Sequence, residues 1–249
     1  MISDPLFYMA AVPAILLAGI AKGGFGSGAG LFATPLIALT MPIPQAAAFL
    51  LPILCLMDLA GLWAYRGLYS RENLRLLFLG GFIGVALGAV TFRYLDDAWI
   101  RLGLGLMSVV FVLHRYLRAD GAATAARSTA KGLLWSSISG FASTIAHAGG
   151  PPLAVYLLPQ RLDKAVMVGT SVVFLAVLNF VKIVPYAWLG LFDARNFSTS
   201  VALAPLAPVG IWLGIILMRR LPEALFYRVC YGILLGVGVK LVWDGIAGL

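Results

Sequence analysis

Lys22-Gly23-Gly24-Phe25-Gly26-Ser27-Gly28-Ala29-Gly30 interrupts one apolar stretch near the start of the chain, and His147-Ala148-Gly149-Gly150-Pro151-Pro152 interrupts another beyond its middle. Neither run can continue a regular helix. Glycine loses the most backbone freedom on ordering, and proline removes an N–H and clashes with the preceding turn. Around these breaks lies a chain of 249 residues that is 61% hydrophobic and 11% charged, with a mean hydropathy of +0.97. A soluble domain carries roughly a quarter charged residues. The composition therefore predicts an all-α polytopic integral membrane protein, a single transmembrane domain over residues 1–249 whose solvent is the lipid bilayer.

The net charge of +8 would suggest nucleic acid in a soluble protein. Here the Lys and Arg residues cluster in short connectors between apolar runs, where they read as topology signals, and no nucleic-acid partner is expected. Cys55 and Cys230 both fall inside apolar segments, which predicts buried thiols rather than a disulfide or a metal site. No cofactor is called for. Met1-Ile2-Ser3-Asp4-Pro5 has no basic leader, so the first apolar segment is expected to stay in the mature protein.

Six runs are long and apolar enough to span a bilayer: approximately Ala46 to Tyr65, Leu74 to Phe92, Ala98 to Tyr116, Ala165 to Trp188, Ser198 to Met218 and Glu223 to Trp243. At 1.5 Å per residue each covers about 30 Å. The two broken regions, Leu6 to Met41 and Gly132 to Pro159, are of a different kind. The stretch from Pro151 to Pro159 would reach only about 13 Å as a helix, too short to cross.

Charge settles how the broken regions are counted. Were each a single crossing, the basic residues would divide almost evenly between the two sides. If each is a re-entrant pair, one side collects Arg66, Arg71, Arg75, Arg115, Arg118, Arg127, Lys131, Arg161, Lys164, Arg219, Arg220 and Arg228, and the other keeps only Arg93, Arg101 and Arg195. The positive-inside rule selects the second arrangement, with both termini on the periplasmic or outer side and Lys22, Lys182 and Lys240 left within the membrane.

The two halves also match. Gly84 and Gly88, before Arg93-Tyr94-Leu95-Asp96-Asp97-Ala98, correspond to Gly210 and Gly214, before Arg219-Arg220-Leu221-Pro222-Glu223-Ala224. With small gaps the match pairs Gly105 with Gly232, Tyr65 with Tyr186, Asp58 with Asn179 and Pro35 with Pro152. Residues 1–118 and 130–249 are thus expected to be two repeats. Each holds three crossings and one broken pair, about eight membrane segments in all. An odd number of crossings per half makes them inverted repeats, an architecture of secondary transporters. Irregular backbone at depth must be enclosed by protein or line a wet cavity, which places the breaks centrally.

Gly19-Ile20-Ala21-Lys22-Gly23-Gly24-Phe25-Gly26-Ser27-Gly28 with Thr34-Pro35, and Ala146-His147-Ala148-Gly149-Gly150-Pro151-Pro152 at the matching place in the second half, resemble the sulfite exporter TauE/SafE family of bacterial membrane permeases. The resemblance covers nearly the whole chain. It implies a transporter of the cytoplasmic (inner) membrane that moves a small sulfur-containing anion (sulfite, thiosulfate, sulfoacetate or a related sulfonate) and is driven by protons.

The residues themselves suggest where such an anion would bind. Backbone N–H groups at the helix starts after the breaks attract anions, which nominates Gly23, Gly24, Gly26 and Gly28 in one half and Gly149 and Gly150, beside His147, in the other. Ser27, Thr34, Ser143, Thr144, Thr170, Ser171 and Asn179 could donate hydrogen bonds to anion oxygens, although most such Ser and Thr residues bond only to their own helix or a neighbour. The same glycines could instead serve only tight packing. Lys22 and Lys182 could supply positive charge and Asn179 a hydrogen bond, while Lys182 could equally snorkel to its helix end. His147 reads either as a proton-responsive or substrate-binding imidazole or as a satisfied packing residue. Asp58, deep in its helix, is costly as a bare carboxylate. It carries the coupling proton, pairs with a lysine or, as a protonated acid, makes an interhelical hydrogen bond. Trp63, Tyr65, Tyr69, Tyr94, Trp99, Tyr186, Trp188 and Trp243 fall near helix ends and fit an aromatic belt.

Two other classes compete. An intramembrane enzyme would use residues such as Asp58 and His147, but the chain has no Gly-x-Ser-x-Gly turn, no His-Glu-x-x-His pair and no second deep carboxylate. An anion channel could also be built from two facing re-entrant pairs. Assembly as a homo-oligomer is left open.

Overall fold

The computed structural model describes residues 2, 4–22, 30–117, 126–220 and 223–249. Among them the regular structure is helical, with no strand: α1 (Pro5–Ile20), α2 (Gly30–Ile37), α3 (Ile43–Ala64), α4 (Arg71–Tyr94), α5 (Asp97–Leu117), α6 (Thr129–Ala146), α7 (Gly150–Leu157) with a short 3-10 turn (Leu158–Gln160), α8 (Lys164–Trp188), α9 (Ala194–Leu203), α10 (Leu206–Arg220) and α11 (Glu223–Ala247). Polar residues mark many of the starts. Asp4, Ser70, Ser128, Asp163 and Asp193 each accept a first-turn N–H at the head of α1, α4, α6, α8 and α9, satisfying donors that a helix leaves unpaired.

Ile43–Ala64, Arg71–Tyr94, Ala165–Trp188 and Ala194–Leu217 are long and apolar enough to cross a membrane. α5 and α11, at 21 and 25 residues, match them in length. Side chains such as Leu79, Phe82, Ile83, Leu87 and Val90 on α4 point outward, as lipid solvation allows and water does not. Trp63, Tyr94, Trp99, Trp188 and Trp243 are exposed as the belt reading expects, but Tyr186 is fully buried and belongs to the interior.

The broken regions break where glycine and proline predicted. α2 and α7 have eight residues each, about 12 Å of helix, too little to cross. The run Ser198 to Met218, expected as one helix, is divided at Ala204–Pro205 into α9 and α10. Pro205 has no N–H for the carbonyl four residues back, and the turn closes instead with the Ala204 N–H on the Val201 carbonyl.

α3 is the central element, buried through most of its length from Ile43 to Asp58. It packs against α8, and the pairs in contact, Asp58 with Asn179, Gly61 with Val172 and Gly169 with Leu68, show the two helices running antiparallel. α5 and α11 are antiparallel as well, since Ala98 meets Gly245 and Gly248 while Gly105 meets Gly238 and Val242. α4 packs along α6 and α1 along α10, both through glycine. A Cβ on Gly84 would lie 2.9 Å from the Gly140 Cα, and one on Gly210 would lie 3.0 Å from the Gly19 Cα. Only a missing side chain lets backbones approach this closely.

Candidate functional site

The break after α1 and the break after α6 bring their ends to the α3–α8 seam. Lys22, in the turn that follows α1, pairs its ammonium with Asp58 Oδ1 on α3. The other carboxylate oxygen accepts from the Asn179 amide of α8 at 2.5 Å. Asp58 is 2% exposed at its side chain and Lys22 18%, so the carboxylate is sealed and the lysine is the accessible partner. Of the three roles open to Asp58, pairing with a lysine is the one seen here, and its second oxygen also accepts across to α8.

One turn beyond Asn179, Lys182 is fully buried and does not snorkel. Its ammonium donates to the Ser143 carbonyl (2.9 Å) and hydroxyl (3.0 Å) and to His147 Nδ1 (2.8 Å). An ammonium has three donors and no acceptor, so Lys182 is saturated by protein. His147 Nε2 lies 2.9 Å from the Ala47 carbonyl. A carbonyl can only accept, so Nε2 carries the proton and Nδ1 offers its lone pair to Lys182. Both ring nitrogens are thereby used. His147 also holds a left-handed backbone conformation, φ 53°, as the C-cap of α6, and its N–H and that of Ala148 close on the Ser143 and Ala142 carbonyls.

This local chemistry explains how a buried lysine is tolerated. The last carbonyls of α6 carry the negative end of the helix dipole, and the Ser143 carbonyl, already closed by the His147 N–H, has a second lone pair to offer. Lys182 settles on the Ser143 carbonyl, and the Tyr186 hydroxyl, one turn further along α8, donates to the Thr144 carbonyl at 2.5 Å. Ser143 and Tyr186 therefore belong to the site. The pairing of Tyr186 with Tyr65 between the halves was the one sequence signal that pointed to Tyr186.

The remaining nominated residues separate. Gly23, Gly24, Gly26, Ser27 and Gly28 lie outside the described residues. Thr34, in α2, is fully buried, and its hydroxyl has no hydrogen-bond partner among the described residues. At the start of α7, Pro151 and Pro152 have no N–H to offer, so donors for an anion there reduce to Gly149 and Gly150. Gly149 is tightly packed: a Cβ on it would lie 2.9 Å from the Ser139 carbonyl oxygen and 2.8 Å from Leu175 Cδ2, and its own carbonyl accepts from the Ser139 hydroxyl at 2.5 Å. The packing reading of that glycine thus has a direct structural basis. Lys240 is exposed and pairs with Asp244 four residues on, away from the site.

The two broken helices meet their partners with the charges reversed. In the first, the cation stands at the end of the broken helix and the acceptor, Asp58, on the central helix. In the second, the cation, Lys182, stands on the central helix and the acceptors at the end of the broken one. The resulting cluster brings two lysines and one carboxylate together inside an apolar bundle.

Comparison with curated proteins and with solved structures yields no match. Residues 11–241 match the family model described as sulfite exporter TauE/SafE, so that the broken helices, the central α3–α8 pair and the charged cluster all fall within the match. The chain is a multi-pass membrane transport protein belonging to the sulfite exporter TauE/SafE family.

Proposed function

We propose that the protein is a secondary transporter that carries a small sulfur-containing anion, such as sulfite, thiosulfate, sulfoacetate or a related sulfonate, across the bacterial cytoplasmic membrane in exchange with or together with protons. The observation that carries the proposal is the buried Lys22–Asp58–Asn179 cluster beside Lys182. Charges at membrane depth are costly and are kept where an ion or proton passes. Lys22 is the residue that contacts the anion, and Asp58 carries the coupling proton. Asn179, Lys182 and His147 hold the geometry and the positive field, and Thr34 offers a hydroxyl.

Two inverted repeats, residues 1–118 and 130–249, with six crossings and both termini outside, provide the frame. The antiparallel α3–α8 and α5–α11 pairs support this, since helices related by inversion must run in opposite senses. So does the recurrence of one glycine contact, Gly84 on Gly140 and Gly210 on Gly19, with each contact linking one half to the other.

The test is transport of radiolabelled sulfite, thiosulfate and sulfoacetate into proteoliposomes under an imposed proton gradient. Saturable flux that follows the gradient, and that loses its proton dependence in Asp58→Asn, is the expected result. Flux that never saturates would indicate a channel, and chemical conversion of the anion an enzyme.

A further inference from the structure

Resting on the transport reading above, we propose that the anion and the Asp58 carboxylate compete for one cation, Lys22, and that each anion bound there is accompanied by one proton taken up on Asp58 Oδ1. Four features of the cluster lead to this. Lys182 has all three of its donors committed to Ser143 and His147, so it cannot turn to an incoming ligand without abandoning the end of α6. Lys22 is the more accessible member of its pair, 18% exposed against 2% for Asp58. Asp58 Oδ2 is held by Asn179, which leaves Oδ1 as the oxygen that can change partner. Nothing else among the described residues is bonded to that oxygen.

An anion reaching Lys22 thus displaces Oδ1. The carboxylate would then be a sealed charge with one amide donor, an arrangement that costs several kcal/mol. A proton removes that cost. The exchange balances as Lys22–NH3+···−OOC–Asp58 plus anion plus H+ giving Lys22–NH3+···anion plus HOOC–Asp58. The only covalent bond formed is O–H, and the proton comes from solvent. The Asn179 amide is undisturbed, because the carbonyl oxygen of a neutral acid accepts just as a carboxylate oxygen does. Oδ1 meanwhile becomes a donor and can bond the anion that replaced it on Lys22, so proton and anion favour each other's binding.

The groups around Asp58 leave it as the proton acceptor. Lys22 is the partner being exchanged, Lys182 is committed to Ser143 and His147, and His147 has both nitrogens engaged. Cys55 lies one turn back on α3, buried. α2 carries no titratable side chain, and Asp97 and Arg101 of α5 are committed to one another and to the opposite end of α3 at Ile43.

Calorimetric binding of thiosulfate, which does not itself titrate near neutral pH, to the purified full-length protein in two buffers of different ionisation enthalpy counts the protons taken up. The expected result is about one proton per thiosulfate, with Kd weakening about tenfold per pH unit on the alkaline side. Asp58→Asn should bind thiosulfate with no proton uptake and a Kd independent of pH. Thiosulfate binding by the parent without proton uptake overturns the competition while leaving the transport reading intact. Uptake of the same proton by Asp58→Asn also overturns it, by moving the proton elsewhere. Failure of the parent to bind thiosulfate, sulfite or sulfoacetate overturns the transport reading and this inference with it. The parent measurement decides the matter even if the variant does not fold.

Discussion

The Lys22–Asp58 pair should behave as a strongly coupled unit in a double-mutant cycle. Lys22→Met keeps an apolar stem and removes the cation, leaving Asp58, 2% exposed, with a single amide donor from Asn179. Breaking a buried pair from one side costs about 3–5 kcal/mol. Asp58→Asn leaves a lysine that is 18% exposed and can turn to water, and the new amide can still meet Asn179. Its cost should lie at roughly 1–3 kcal/mol. The double variant has no stranded charge and should recover about 2–3 kcal/mol of the summed losses. For a chain of this size 1 kcal/mol moves the unfolding midpoint by about 2–4 °C, so Lys22→Met alone should lower it by roughly 6–20 °C. Tryptophan fluorescence during thermal unfolding in detergent reads all four proteins. A Lys22→Met midpoint equal to that of the parent, or a double variant equal to the sum of the singles, would refute the view that Asp58 depends on Lys22.

Gly84→Ala should destabilise by about 1–3 kcal/mol or more, since its Cβ would lie 2.0 Å from the Ser137 carbonyl oxygen and α4 would have to leave α6; Gly103→Ala, with nothing within 4 Å, should be neutral in the same unfolding assay. Gly210→Ala, whose Cβ would meet the Gly19 Cα at 3.0 Å, should show a milder loss. Lys182→Ala strands the Ser143 hydroxyl and His147 Nδ1, while the Ser143 carbonyl keeps the His147 N–H, and should lower both the unfolding midpoint and the yield of folded protein, with a loss of about 2 kcal/mol or more. Tyr186→Phe should cost about 1–2 kcal/mol through the orphaned Thr144 carbonyl, a drop of a few degrees in midpoint.

Much of the fold could be read directly from residue types. Proline and glycine placed the two breaks, and the structure ends α1 at Ile20 and α6 at Ala146, immediately before them. The apolar runs became helices whose bounds shifted by a few residues, because polar caps such as Ser70 and Asp163 lie outside the apolar signal. Pro205 was visible too, yet a run of average hydropathy does not register a single missing N–H, so the division of α9 from α10 was missed. At the site, Asp58, Lys22, Lys182, His147 and Asn179 stood out because they are expensive in an apolar setting. Their pairing could not be read. Hydropathy carries no information on which face of α8 meets α3, and Lys182, near a helix end, looked as able to snorkel as to be buried. Ser143 stood out only as one of several hydroxyls able to donate to an anion, and Tyr186 was obscured for the same reason: a Tyr near a helix end has a bland default, and only the neighbouring helix shows which partner it takes.

By itself, then, the amino-acid sequence determined that this chain is helical, lives in lipid and is interrupted twice. Those outcomes follow from side-chain transfer energy and from the backbone chemistry of glycine and proline, which act locally. Tertiary structure alone decided that Lys22 faces Asp58, that Lys182 is satisfied by the end of α6 and that His147 is locked between Lys182 and Ala47. The reason is that a charge buried in an apolar bundle is stable only against a partner of the right sign and geometry, and such partners come from segments more than thirty residues apart in the chain, brought together only by helix packing.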